Sequence, residues 1–392
     1  MALKKSKTSK TKKAVLRPSS LKKKTVKKVL SKVSAKPKIS KPKIVSRAAT
    51  GVNKKLRLKK FVENPIVTPN GHHNWESQYV FNPAAVCEDG KVHLIYRAIG
   101  NGGVSVFGYA STKNGLNVDE RLTHPIFAPS DLMESEGKEQ VIIYNSSSGG
   151  SWGGCEDPRI TKLDGKFYIT YTAFNCYPRV AITSISEKDF ISKHWKWREP
   201  VLISPPGEAY KNWVVFPEKI KGKYAILHCI FPDVQVAYVD SMDFDGKTFI
   251  KSSHPEAGKT RKGVCDSRPR GVGPPPIKTD EGWLIIYHAI DDRDPGRYKM
   301  GAIILDYENP EKVLYRSVAP ILEPDEVYEN DGFKSGVVYS CGAVTMDGTL
   351  FVYYGGADTV VCVATANLDE FLSALKKGGA VNMKKAKVSS KK

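Results

Sequence analysis

The sequence lacks several features that would place it in common classes of protein. It has seven cysteines, an odd number, and no Cys-x-x-Cys pair, which argues against a disulfide framework and against a zinc site. Unpaired cysteines fit a reducing compartment, so a cytoplasmic location is expected. No apolar run approaches the length of a membrane span, and no apolar stretch of a secretory signal follows the first basic residues.

Metal-ligand patterns and helical patterns are also scarce. The eight histidines are scattered along the chain, and none lies in a cluster with the spacing of metal ligands. We therefore expect neither a metal nor another cofactor. Helical periodicity is weak throughout, and the main predicted helix is Leu368–Leu375. The scarcity of helical periodicity favours an all-β protein.

Acidic residues are absent from both ends of the chain. Residues 1–60 hold 23 Lys or Arg, and residues 376–392 hold 7 more. Between them, 31 basic residues face 41 acidic ones, so the central part is acidic. Charge repulsion predicts a disordered tail at 1–60 and a basic tail at 376–392. The first tail is interpreted either as an arm for non-specific polyanion binding or as a solubilising segment.

A short phrase recurs five times in the central part. Each copy has a Gly turn followed by alternating apolar residues that usually end near a Tyr. The turn glycines are Gly90, Gly165, Gly222, Gly282 and Gly348. Apolar segments before and after each phrase extend the unit to several antiparallel strands.

Radial repetition of such units is typical of propellers. The sequence therefore predicts a five-bladed β-propeller over residues 61–375. A pair of β-sandwiches is the alternative, although sandwiches do not usually repeat one phrase five times.

In a propeller, polar residues at the ends of the innermost strands converge on the central channel. These candidates are Asn82, Arg97, Asp157, Arg159, Arg179, Lys211, His228, Tyr287, His288 and Asp358.

Several longer motifs resemble those of glycoside hydrolase family 130. The motifs are Ile95–Ala98, Gly153–Ile160, Gly271–Ile277, Cys341–Val344 and Tyr353–Thr359. The resemblance runs from about Phe61 to Leu375. It implies a five-bladed propeller that cleaves β-mannosides with inorganic phosphate and inverts the anomeric centre, giving α-mannose 1-phosphate. The physiological direction is open, since the reaction can also run towards synthesis.

The resemblance also implies roles for individual residues. Asp157 matches the general acid, which acts through a sugar hydroxyl; by its own pattern, Asp-Pro is also a common turn. Arg179, Lys211 and His228 match phosphate ligands, with Arg198 as a possible fourth, and such cations suit a phosphate dianion. Arg97 would orient the acid. The mannosyl unit would contact Asn82, Asp358 and, less distinctly, Tyr287, which could equally be a core residue.

Other functions stay open at this point. A hydrolase on the same fold would need a second carboxylate to activate water, and would tend to lose the basic cluster. Arabinanase-like propellers place a catalytic Asp where this chain has Asn82. A non-catalytic sugar-binding propeller is the third alternative, and the retained acid and cations speak against it. Phosphorolysis is the favoured interpretation, with phosphate as a co-substrate and a mannosyl oligosaccharide as partner.

Overall fold

The computed structural model describes residues 56–129, 153–175, 177–251 and 264–378. The lysine-rich segment before residue 56 and the basic segment after residue 378 lie outside the described residues, so the predicted tails and domain boundaries stay predictions. None of the helices in the described ranges is both long enough and apolar enough to cross a lipid bilayer.

Strands dominate the described part of the chain. In chain order the strands are β1 Lys59–Lys60, β2 Tyr79–Glu88, β3 Lys91–Ile99, β4 Val104–Thr112, β5 Glu120–Arg121, β6 Gly153–Leu163, β7 Lys166–Asn175, β8 Tyr177–Ser186, β9 Val201–Leu202, β10 Val214–Val215, β11 Tyr224–Cys229, β12 Gln235–Val239, β13 Arg268–Val272, β14 Ile277–Thr279, β15 Gly282–Asp291, β16 Asp294–Leu305, β17 Val313–Arg316, β18 Val338–Met346, β19 Thr349–Gly356 and β20 Val360–Asn367. The helices are α1 Glu187–Ile191, α2 Val327–Asn330, α3 Leu368–Gly378 and a 3-10 turn at Asn74–Glu76.

The local predictions hold. The helix predicted at Leu368–Leu375 is confirmed as α3, which buries Phe371 and Leu375 against the last sheets. Four of the repeated glycines lie in tight turns and follow residues whose φ is 49° to 53°: Asp89, Asp164, Lys221 and Asp347. Positive φ at both central positions matches the right-handed twist of the strands that such turns connect. The repeated phrase is therefore a hairpin, as predicted.

The predicted five-bladed propeller is wrong. The described strands form four sheets, of four, three, five and eight strands, and these sheets do not close or curl into a propeller. The first two repeat units share one sheet because β4 and β6 pair in parallel, Val104 with Gly153 and Ser105 with Gly154. The repeat predicts hairpins, which are local, whereas this pairing joins strands that are distant in sequence.

The start of the described chain is fastened to the last sheet. β1 pairs with β20, and Lys60 Nζ lies 2.6 Å from the carboxylate of Glu329, whose side chain is fully buried. Lys60 also donates to the carbonyl oxygen of Glu323 at 2.9 Å. Because a buried carboxylate needs a partner, Lys60 ties the N-terminal strand to α2.

Candidate active site

Two polar side chains meet because equivalent strands carry the same irregularity. The register jumps from Phe81 to Ala84 in β2 and from Glu156 to Arg159 in β6, so Asn82 and Asp157 each lie in a β-bulge. Their φ angles are 48° and 51°, a left-handed conformation that Asn and Asp adopt more readily than most residues. Bulges redirect side chains next to active sites. As a result, Asn82 Nδ2 donates to Asp157 Oδ1 at 2.8 Å.

Asp157 is a buried carboxylate that its neighbours hold in the ionised form. Burial alone would raise its pKa, but the charges of Arg97 and Arg159 and the hydrogen bond from Asn82 outweigh burial. The net effect lowers the pKa of Asp157 below its ordinary value. Asp157 is therefore an anion at neutral pH in the free enzyme, and it can accept a hydrogen bond from a sugar hydroxyl.

Arg97 joins two consecutive carboxylates. Its Nη2 lies 2.7 Å from Glu156 Oε1 and its Nη1 lies 3.3 Å from Asp157 Oδ1. Its Nε donates to Ser105 Oγ at 2.9 Å, and its guanidinium lies over the ring of Phe81. Arg97, Glu156 and Asp157 are all buried. A guanidinium with this many contacts fixes the orientation of the Asp157 carboxylate.

Arg159 connects Asp157 to the next sheet. Its Nη1 donates to the carbonyl oxygen of Asp157 at 2.8 Å, and its Nη2 donates to Asn212 Oδ1 at 2.8 Å. Asn212 also has positive φ, 66°, and its Nδ2 donates to the carbonyl oxygen of Arg270. A Cβ at Gly271 would lie 2.4 Å from Asn212 Nδ2, so only glycine leaves room for this amide.

The stacked rings of Tyr339 and His288 lie beside Asn212. Tyr339 donates its hydroxyl to Asn212 Oδ1 at 2.7 Å, and its ring stacks on His288 with 3.7 Å between centroids. His288 is fully buried, and its Nε2 accepts the N–H of Ser340. Burial and the charge of Arg159 lower the pKa of His288 to about 3. His288 is thus neutral, with the proton on Nδ1.

Asp358 brings a further carboxylate from the last sheet. It follows β19, and both Ala357 and Asp358 have left-handed φ, 49° and 50°. Gly355 in β19 leaves room for the side chain of Asn82, since a Cβ at Gly355 would lie 2.3 Å from Asn82 Oδ1. Asp358 is buried. Burial, the largest influence, and the charge of Asp157 outweigh the opposing charges of Lys334, Arg97 and Lys211, and raise the pKa of Asp358 to about 6.

The three phosphate ligands that the resemblance implies come from separate segments: Arg179 from β8, Lys211 from the segment 210–213 and His228 from β11. The backbone N–H of Tyr210 donates to the carbonyl oxygen of Pro178, the residue before Arg179, whose own Nη2 donates to the carbonyl oxygen of Ser204 at 2.7 Å. The ring of His228 lies 5.6 Å from that of Trp213. Lys211 Nζ lies 3.9 Å from Glu156 Oε2, which connects this group to the carboxylate cluster. Burial lowers the pKa of His228 to about 4, so it is a neutral donor.

Two predicted site residues, Arg198 and Tyr287, make their contacts with residues outside the carboxylate cluster. Arg198 is exposed and forms an ion pair with Asp243, and its backbone N–H donates to the carbonyl oxygen of Ser184. Tyr287 is buried in a hydrophobic cluster, where its hydroxyl donates to Asp266 at 2.6 Å. Among the residues that the structure describes, no three His, Cys, Asp or Glu side chains form a group that could hold a metal ion.

Comparison with known proteins places this chain in a family. A family model described as beta-1,4-mannooligosaccharide phosphorylase matches residues 56–377. The chain belongs to glycoside hydrolase family 130. It is 37% identical to a 1,2-beta-oligomannan phosphorylase of Thermoanaerobacter sp., over 80% of this chain and 99% of that protein. It is 35% identical to a beta-1,2-mannobiose phosphorylase of the same organism, over 79% and 97%.

A solved structure gives the same relationship. The beta-1,2-mannobiose phosphorylase from Listeria innocua, in complex with beta-1,2-mannobiose, matches with a TM-score of 0.61 and 26% identity. The match covers 82% of this chain and 99% of that one. This family assignment agrees with the resemblance inferred from the motifs, and it makes the chain an enzyme of the phosphorylase type.

Sequence reasoning missed several members of this family 130 site. Glu156 and Asn212 were not among the candidates, and neither was Tyr339. Spacing gave no signal for Asn212: Asn82 and Asp157 each stand eight residues before their turn glycine, whereas Asn212 stands ten residues before Gly222. Glu156 precedes Asp157, and a bulge lets both residues bind the same arginine.

Replacement of Asp358 by Asn should stabilise the protein in a pH-dependent way. The folded pKa of about 6 lies above the ordinary 3.8, so this carboxyl contributes stability below pH 4, and that contribution is lost as the pH rises through 6. Asn carries no charge at any pH. The free energy of unfolding measured in urea should be about 3 kcal/mol higher for Asp358→Asn than for wild type at pH 7.5, and this difference should disappear near pH 4. A difference in the free energy of unfolding that is equal at both pH values would contradict an ionisable carboxyl at this buried position.

Proposed function

We propose that this enzyme cleaves β-1,2-linked mannosides by phosphorolysis, with inversion to α-mannose 1-phosphate. Three relatives at 35% identity or above are named for β-1,2-linked mannose, whereas a relative named for β-1,4-linked mannose is 27% identical. The observation that carries the proposal is the position of Lys211, whose Nζ lies 3.9 Å from Glu156 Oε2, while Arg97 bridges Glu156 and Asp157. Cations beside a buried acid suit a phosphate nucleophile.

The site residues are assigned to phosphate binding, mannosyl binding and proton transfer. The phosphate would be held by Arg179, Lys211 and His228, with Arg179 as a bidentate donor and His228 as a neutral donor. Asn82 and Asp358 would bind hydroxyls of the mannosyl unit. Asp157, oriented by Arg97, would take a proton from hydrogen phosphate and pass it to a sugar hydroxyl, whose own proton moves to the departing glycosidic oxygen.

The reaction balances without a second catalytic base. The C1–O bond to the leaving sugar breaks, and a phosphate oxygen forms the new bond to C1 from the opposite face. Hydrogen phosphate supplies the proton that the leaving oxygen finally keeps, so no water is consumed. A hydrolase would need a carboxylate to activate water, and Asp358 is the residue that would have to serve.

The test is an incubation with β-1,2-mannobiose, β-1,2-mannotriose and β-1,4-mannobiose, each with and without phosphate. We expect mannose 1-phosphate from the β-1,2-linked substrates, and only when phosphate is present. Faster reaction of the β-1,4-linked substrate would reverse the linkage assignment. Free mannose formed without phosphate would replace the proposal with the hydrolase alternative.

The remaining proposals concern the surroundings of the reaction. Phosphate would be a co-substrate, with no metal or other cofactor required. The residues before 56 would bind polyanions non-specifically through their lysines. A reducing, cytoplasmic compartment would suit the six described cysteines, four of which are buried.

A further inference from the structure

Asp358 is a buried carboxylate that the fold leaves without a direct partner. Its exposed fraction is 5%, and it makes no hydrogen bond or ion pair with any residue that the structure describes. Its closest counterpart behaves differently, because Asp157 accepts from both Asn82 and Arg97. An ionised carboxylate that has left water without gaining a partner is costly, so Asp358 is the group in this site that gives up its charge most easily.

The charges that face Asp358 come from four other parts of the chain. Lys334, Arg97 and Lys211 favour its ionised form, and Asp157 opposes it. Arg97 is bound to Glu156 and Asp157, and Lys211 also faces Glu156. Lys334 lies with its Nζ over the ring of Tyr298. The cations therefore balance a cluster of three carboxylates, not Asp358 alone.

A phosphate dianion held by Lys211 would place two negative charges beside a cation that now favours the ionised form of Asp358. Glu156 and Asp157 share the charge of Arg97. Asp358 has no such partner, and a like charge close by favours its neutral form. We propose that phosphate binding is coupled to the uptake of one proton by Asp358, so that the enzyme–phosphate complex holds this residue as a neutral acid.

This inference rests on the proposed function, since it requires phosphate to bind beside the carboxylates. Its consequence is specific: a protonated Asp358 becomes a hydrogen-bond donor as well as an acceptor and so changes how it binds a sugar hydroxyl. In the free enzyme the pKa of Asp358 is about 6, so at pH 7 the residue is mostly ionised. A rise of one to two pKa units in the complex would give an uptake of about 0.4 to 0.8 proton at that pH.

The experiment is calorimetric titration of the purified full-length protein with inorganic phosphate at pH 7. The titration is repeated in two buffers of different ionisation enthalpy, and the difference in heat gives the number of protons exchanged. Because phosphate itself titrates near neutral pH, the same pair of titrations is run with sulfate, which has no proton to exchange there. Wild type, Asp358→Asn and the exposed control Asp369→Asn are compared.

We expect wild type and Asp369→Asn to take up about 0.4 to 0.8 proton per bound anion, and Asp358→Asn to take up none with sulfate. Equal uptake in wild type and Asp358→Asn would overturn the inference while leaving phosphate binding intact. Binding of neither anion to wild type would overturn the proposed function and this inference with it.

A second variant tests the coupling if Asp358→Asn does not fold or does not bind. Removal of the positive charge in Lys334→Met should raise the pKa of Asp358 in both states. The pH of greatest proton uptake should therefore move upwards by about one unit relative to wild type. An unchanged or lower pH of greatest uptake would count against Asp358 as the group that takes the proton.

Discussion

Replacement of Asp157 by Asn should lower kcat for phosphorolysis of β-1,2-mannobiose by about 10²- to 10⁴-fold, the range for loss of a positioned acid or base. The amide keeps the shape of the side chain and can still accept from Asn82, but it cannot take or pass on a proton. The KM for phosphate should not rise, since one negative charge has been removed from beside the phosphate. Initial rates of mannose 1-phosphate formation at varied phosphate give both constants.

The matched control is Asp347→Asn. Asp347 has nearly the same backbone conformation as Asp157, with φ of 49° against 51°, but it is exposed at a hairpin turn. Asn is tolerated at such positions, so this variant should keep wild-type kinetics. A loss of activity at Asp157 that appeared as a raised KM with unchanged kcat would contradict a chemical role and would indicate a binding role instead.

Local structure was predictable because its signals are local. The Asp-Gly and Lys-Gly turns before apolar alternation predict hairpins, and the apolar spacing of Leu368–Leu375 predicts α3. The assembly of hairpins into sheets was not predictable in this way. Val104 and Ser105 pair with Gly153 and Gly154, and no turn residue encodes a parallel pairing between segments so far apart in sequence. The propeller expectation failed at this step.

The site residues also differ in whether their signals are local or depend on long-range contacts. Asp157 and Arg97 stand in motifs of the family and Asn82 stands at a strand end of the repeat, and the structure brings all three into contact. Asn212 has no motif of its own, because its role depends on a left-handed backbone and on Arg159 from another sheet. Arg198 follows Trp197 in an alternating segment, so its basic character alone could not tell a surface ion pair with Asp243 from a phosphate contact.

Replacement of Arg97 by Met should destabilise the fold by about 3–5 kcal/mol at pH 7, the usual cost of removing one partner of a buried ion pair. Two carboxylates depend on this guanidinium, and the side chains of Arg97 and Glu156 are 2% and 0% exposed. The free energy of unfolding from urea titrations measures the loss. The double variant Arg97→Met with Glu156→Gln should recover part of it, because the charge that was left uncompensated is removed as well.

The pH dependence distinguishes lost charge pairing from lost packing. Arg97 lowers the pKa of Asp157 in the folded state, and a lowered pKa contributes stability that is present above the ordinary value of 3.8 and is lost as the pH falls through the folded pKa. Arg97→Met lacks this contribution, so the gap between variant and wild type should narrow as the pH falls from 7 to below 4. A gap that stayed constant over that range would mean that Arg97 stabilises the site through its contacts with Phe81 and Ser105, not through the carboxylates.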